Sequence, residues 1–188
     1  MLAGPVGEGG LRPIWYPSDM ASRKKKDALP DKEAVHRALS AALAEALAMM
    51  ARAAEDARQG ATHEENRSEG DKDMRATEQS YVARGQAMRA EQLAEEAARF
   101  AAMPVRRFGP DDPIAAGALV RVRIDDEPRV FFVVAQGGGT ELVVEGTKIT
   151  VLTPLSPAGR QLVGKHVGDD FEMTAAGRTR VWEIEAIG

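Results

Sequence analysis

Apolar positions change their spacing once along this chain, and that change divides it. From Asp31 to about Phe100 they recur every three or four residues. Val35, Leu39, Ala42, Ala46, Met49, Ala53 and Ala57 form one such row, widened by Leu43, Leu47 and Met50. A step of three or four places residues on one face of a helix. Met74, Tyr81, Met88 and Glu95 follow at intervals of seven, with Leu93, Ala97 and Phe100 continuing the apolar side. Two long helices are therefore expected. Asp31 caps the first, behind Pro30 and ahead of Glu33, and the helix runs to Gln59. The second starts between Ser68 and Met74 and stops before Pro104. Gly85 is its weak point, at about 1 kcal/mol against alanine. A short connection makes the two antiparallel neighbours. Alanine in the seam lets them approach near the short end of the roughly 8–10 Å range.

Beyond a linker at Val105–Pro113 the period drops to two. Val120, Val122 and Ile124 alternate with Arg121 and Arg123, which predicts a strand with one wet face. Val130–Ala135 is apolar throughout and reads as a central strand. Glu141–Val144, Lys148–Leu152, Phe171–Thr174 and Thr179–Ile187 complete a sheet. Turns are expected at Asp125–Pro128, Gly137–Gly139 and Ala176-Gly177. The triple glycine is no phosphate loop, because no helical pattern follows it. Ser156 caps a short helix, Pro157 occupies its first turn and Gly164 ends it. The expected fold class is α+β: an N-terminal antiparallel coiled-coil hairpin (31–104) and a C-terminal antiparallel β domain with one short helix (109–188). Residues 1–30 are rich in Gly and Pro, lack a period and are expected to be a disordered tail. Met20 resembles a natural start, which would make the first nineteen residues an upstream extension.

The connection between the helices gathers charge. GATHEENRSEGDKD, residues 60–73, carries Glu64, Glu65, Glu69, Asp71 and Asp73 against Arg67 and Lys72. This is an acidic tip on a narrow rod, able to carry carboxylates where a globular surface does not fit. His63 beside Glu64 and Glu65 lacks the spacing of a free-standing zinc site and reads as a solvated loop histidine. The 188 residues include no cysteine, which excludes a disulfide framework, a thiolate metal site and a cysteine nucleophile. Aromatic residues make up only 5%, which disfavours an aromatic-lined ligand pocket. A net charge of −4 does not describe a protein that coats nucleic acid. The run Arg23–Lys26 reads as a solubilising tail. No apolar run approaches the length of a membrane span and no signal peptide is evident, so no membrane partner and a cytoplasmic location are expected.

The stretch TPLSPAGRQLVGKHVGDDFEM, Thr153–Met173, resembles the C-terminal signature of the bacterial Gre transcript cleavage factors. In that family a Ser-Pro-Leu-Gly segment leads into a short helix, then Leu-Gly-Lys and Gly-Asp. Ser156, Pro157, Gly159, Leu162, Gly164, Lys165, Gly168 and Asp169 match, and Ala158 replaces the leucine. Tyr81–Gln86 also resembles the second helix of those factors. The resemblance implies an FKBP-like C-terminal domain docking on RNA polymerase at its secondary channel, with Ser156, Pro157, Gly159, Gly164, Lys165, Gly168 and Asp169 as docking residues. It implies that the hairpin reaches the polymerase active centre. There Glu65, Glu64 and Asn66 would act in trans, Glu65 and Glu64 on polymerase-bound Mg²⁺. The factor itself would hold no cofactor, would not be an enzyme, would be a monomer and would meet RNA only within the transcription complex. Matching Glu65-Asn66 to the family's Glu-Asn pair puts Thr62 where the family has aspartate, and threonine is a poor Mg²⁺ ligand. Whether the tip stimulates cleavage of backtracked RNA or only occludes the channel therefore stays open. Two further alternatives are a prolyl isomerase, drawing on Phe131, Phe132, Phe171 and Trp182, and a self-associating coiled-coil protein.

Overall fold

The computed structural model describes the backbone of residues 28–65 and 72–188, and side chains within 28–56, 81–82 and 84–188. The expected tail lies almost wholly outside the described residues. Helix α1 spans Lys32–Glu65 and helix α2 spans Lys72–Ala101. Strands β1 (Ala118–Ile124), β2 (Glu127–Val133), β3 (Glu141–Val144) and β4 (Thr147–Leu152) follow. Helix α3 (Pro157–Leu162) then precedes β5 (Asp170–Ala175) and β6 (Arg178–Ile187).

Asp31 caps α1, its Oδ2 accepting from the amide of Ala34 at 3.0 Å. The helix does not stop at Gln59 but continues through Gly60 to Glu65. A glycine inside a helix costs only about 1 kcal/mol, and the alanine, glutamate and glutamine around it favour the helix. The two helices run antiparallel. His36 stacks on Phe100 at 4.4 Å near the root, while Met50, Ala53, Gln86 and Arg89 line one open hollow further out. Numbers rise on one helix as they fall on the other.

Leu43, Ala46, Leu47, Leu93, Ala97 and Phe100 turn inward as expected, but other members of the expected rows do not. Met49 is 63% exposed, Tyr81 71% and Met88 56%, and Ala53 and Glu95 also face solvent. The positions turned inward are Leu43, Ala46, Leu47 and Ala54 on α1, and Gln86, Ala90, Leu93, Ala97 and Phe100 on α2. The α2 row alternates steps of four and three, so it has the same seven-residue period as Tyr81–Met88–Glu95 but a different phase. Small alanines set that phase by allowing close approach, and the larger methionines are left outside.

Alanine also bears on the membrane expectation. Lys32–Asp56 has a window of mean hydropathy 1.2 and meets the length and composition of a membrane span, with 17% of that window buried. The reading that no stretch approaches a span missed it, because alanine adds hydropathy without forming a continuous bulky run. The root of this same segment packs on the sheet through Val35, Leu39 and Leu43.

The sheet has six strands in the order β3-β4-β2-β1-β6-β5. It is mixed, not antiparallel as expected, because β2 and β4 pair parallel from Val130↔Ile149 to Val133↔Leu152. The chain leaves β2 for β3 at the edge, then returns antiparallel into the gap, so β4 runs the same way as β2. The three tight hairpins each carry positive φ at both turn residues: Asp125-Asp126 (49°, 68°), Glu145-Gly146 (51°, 77°) and Ala176-Gly177 (51°, 73°). That geometry matches the right-handed twist of the flanking strands. Pro128 thus lies within β2 and not in the turn.

Apolar layers cover both faces. The helix roots, with Val35, Leu39, Leu43 and Phe100, pack on Leu119, Val130, Phe132, Leu142, Ile149 and Val151. The other face buries Val120, Val122, Ile124, Phe131, Trp182 and Ile184 under α3 and the linker residues Phe108 and Ile114. Arg121, expected on a wet face, is consequently buried at 6% exposure. It sits between Val130 and Ala186 on an interior strand. Arg123, nearer the strand end, is exposed and donates from Nε to Glu185 Oε1 at 2.6 Å. That bond, ahead of the attraction of Glu185's charge, raises the Arg123 pKa.

Candidate functional site

Three places bear on function: the outer end of the hairpin, the α3 segment, and the root where α1 leaves the sheet. At the outer end, Glu64 and Glu65 are the last two residues of α1. Asn66 lies outside the described residues. The helix runs past Thr62, so positions 62 and 65, three apart, share one face and position 64 does not. Glu65 ends a helix of 34 residues, on the order of 50 Å long, rooted in the sheet. Among the described residues no cluster of His, Asp or Glu could hold a metal.

Around α3 the signature residues have local structural work. Ser156 Oγ accepts from the Gly159 amide at 3.0 Å and donates to the Thr153 carbonyl at 2.7 Å. Pro157 opens the helix, where a missing N–H costs nothing. Gly159 is buried, and a Cβ there would lie 2.0 Å from the Thr153 carbonyl oxygen. Leu162 is fully buried. Gly164 and Gly168 have φ of 85° and 91°, in the region that favours glycine. Asp169 Oδ2 accepts from the His166 amide at 2.8 Å. Of the expected docking set, Pro157, Gly164 and Gly168 are exposed, Ser156, Lys165 and Asp169 half-buried, and Gly159 buried. Lys165 holds its ammonium 5.4 Å from the centre of the Phe171 ring. Leu155 (77% exposed), Val163 and Val167 add apolar side chains to the surface flanking α3. Sequence reasoning had no means to single them out, since exposed and buried aliphatics look alike in a sequence.

The aromatic residues that an isomerase pocket would draw on are spent elsewhere. Phe131 stacks on Trp182 at 5.2 Å, and Phe171 tilts against Trp182 at 5.5 Å. Phe132 is buried in the opposite face of the sheet, edge-on to Phe100.

At the root, Lys32 ties three segments together. Its ammonium donates to the Arg106 carbonyl and, at 2.8 Å, to an oxygen of Gly188, the last residue, and lies 4.4 Å from the centre of the Phe108 ring. Burial, and secondarily the Arg106 charge, lower its pKa to about 8. A cation in the first turn of a helix opposes the helix dipole, and that oddity was legible in the sequence. The folded pKa lies below the unfolded value of 10.5, so the unfolded chain binds more protons between the two. The penalty for burying the charge is thus present in full below about pH 8 and is relieved as pH rises toward 10.5. The stability difference between wild type and Lys32→Met, read by denaturant unfolding at stepped pH, is expected to shift toward wild type across that window. A difference flat with pH would refute it.

No protein-family model and no curated protein matches the chain. Solved structures do. The GreA factor homolog 1 (Gfh1) of Thermus thermophilus is 18% identical at a TM-score of 0.34, covering 79% of this chain and 94% of that one. The Gfh1 of Thermus aquaticus gives 18% and 0.34, over 80% and 94%. The elongation factor GreA/GreB of Nitrosomonas europaea gives 20% and 0.33, over 50% and 77%.

Proposed function

We propose that this chain is a Gre-like transcription elongation factor. Its β domain, FKBP-like in this reading, docks on RNA polymerase at the secondary channel, and the hairpin carries Glu64, Glu65 and Asn66 toward the catalytic Mg²⁺. The observation that carries the reading is the joining of two features in one chain. A helix of 34 residues ends at Glu64-Glu65, and its root is fixed in a sheet that bears the Ser156–Asp169 segment. A two-metal phosphoryl site needs carboxylates to hold its second, looser Mg²⁺ and to place the attacking water. An acid brought in on a rod supplies that, and the polymerase does the chemistry. The factor works as a cytoplasmic monomer in this reading, with no cofactor of its own.

Docking resides in the C-terminal half. A fragment of residues 109–188 is expected to bind RNA polymerase, more weakly than the whole chain, in a pull-down or by interferometry. That fragment loses Val35, Leu39, Leu43 and Phe100 from one face of its sheet, so its fold is checked first by circular dichroism. If it proves unfolded, the full chain with Lys165→Glu serves instead, and unchanged polymerase affinity there counts against the assignment. Binding by the isolated hairpin alone would overturn it.

A further inference from the structure

The helix roots cover only part of their face of the sheet. The cluster they form takes residues from β1, β2, β3 and β4 and none from β6 or β5. On that uncovered flank the register sets Asp170 opposite Glu183 and Glu172 opposite Val181. Phe171, Trp182 and Ile184 alternate with them and belong to the other face. Val181 is 50% exposed, and Asp170, Glu172 and Glu183 are exposed as well. Like charges directly opposite across two strands are unfavourable, as Asp170 and Glu183 are here. Arg123 turns the same way from β1, opposite Glu183, but its hydrogen bond goes to Glu185, and Glu183 acts on it only as a lesser charge. Among the described residues, no ion pair involves Asp170, Glu172 or Glu183.

The chain itself carries the complement. Arg23, Lys24, Lys25 and Lys26 form an unbroken run of cations shortly before Leu29. Leu29 packs on the helix-side cluster, and its Cδ1 lies 3.0 Å from where a Cβ on Gly188 would stand. The chain therefore joins the helix side of the sheet at the end of β6. Counted back along β6 from Gly188, Glu183 and Val181 lie about 17 and 23 Å away at roughly 3.3 Å per residue. Counted back from Leu29, Lys26 and Arg23 reach at most about 10 and 20 Å, and their long side chains add to that. The reach of the run thus spans the carboxylates of the flank. We infer that the Arg23–Lys26 run lies along the β5–β6 flank as an intramolecular latch, its cations meeting Glu183, Asp170 and Glu172. Exposed ion pairs of this kind are weak singly. Only Asp27 and Ala28 separate the run from Leu29, and so short a tether gives a millimolar effective concentration, at which weak pairs suffice. The run that reads as a solubilising tail is then engaged by the chain's own sheet. The inference rests on charge and reach and not on the polymerase reading above.

The sequence has no cysteine, so Ser22→Cys carries a single spin label beside the run in the full-length protein. The label broadens nearby backbone amide signals, read by NMR at low ionic strength. The amides of Glu172, Val181 and Glu183 are expected to lose most of their intensity. The reference is the same label on a chain with Arg23→Gln, Lys24→Gln, Lys25→Gln and Lys26→Gln, which keeps the length and removes the charge. There the signals are expected to return. They are also expected to return with Glu172→Gln and Glu183→Gln together, at two exposed positions, and in about 1 M salt, where the Debye length falls to about 3 Å. Equal broadening by the charged and the neutralised run, or broadening confined to the amides of α1, would overturn the latch. Spin-labelled chains without isotope are then mixed with isotope-enriched chains without label. Broadening of the flank as strong in that mixture assigns the flank to a second copy and overturns the intramolecular latch, and its absence there supports it.

Discussion

Exchanging Glu65 for alanine is expected to remove most of whatever RNA cleavage this protein elicits from its polymerase, while leaving polymerase affinity nearly unchanged. Docking in the proposed function lies some 50 Å away along α1, by the rise of about 1.5 Å per residue. Losing one hard anionic ligand from a two-metal site commonly costs roughly 10²–10³ in rate. The reverse exchange, Thr62→Asp, is expected to raise cleavage. The helical backbone strengthens this expectation. Because α1 continues to Glu65, positions 62 and 65 lie three apart on one helix. The measurement is cleavage rate in stalled complexes against Mg²⁺ concentration for wild type, Thr62→Asp and Glu65→Ala. Strong wild-type cleavage that survives Glu65→Ala would sink the assignment of this end of the hairpin. Inhibition of nucleotide addition, with neither variant cutting RNA, would establish the occluding alternative.

Gly159→Ala is expected to unfold the α3 segment and to destabilise the whole sheet unit. The added methyl would sit 2.0 Å from the Thr153 carbonyl oxygen and 2.9 Å from Ser156 Oγ. Both are fixed, since Ser156 caps the helix and Thr153 accepts from Ser156. Backbone has to move, and overpacking against backbone costs about 3 kcal/mol or more. For a chain of this size each kcal/mol lowers the melting temperature by roughly 2–4 °C, so a fall near 10 °C is expected in thermal unfolding. Lys165→Ala, at a half-buried side chain over Phe171, is expected to leave the melting temperature within a few degrees. This pair separates the structural members of the signature from those free to touch a partner. Equal melting temperatures for Gly159→Ala and wild type would show that the close approach is not a constraint.

Local chemistry made much of this chain legible. Asp31, Ser156, Pro157 and Gly164 mark helix ends through caps and dihedrals that depend on a few neighbouring residues. The strands declared themselves because alternation follows directly from the pleat. The charged end of the hairpin needed no more than a count of carboxylates.

What the sequence determined by itself, then, is which elements form, in what order, and which residues cap and turn most of them. The tertiary structure alone decided how they face one another. The alanine-rich seam was legible, but that Met49, Tyr81 and Met88 stay outside it was not, because a periodicity of seven carries no phase. The parallel pairing of β2 with β4 depends on β3 taking the edge, a choice made between strands. Arg121 is buried because layers form on both faces of its strand. Lys32, Arg106, Phe108 and Gly188, up to 156 residues apart, meet only because the helix root, linker and last strand converge at one corner of the sheet.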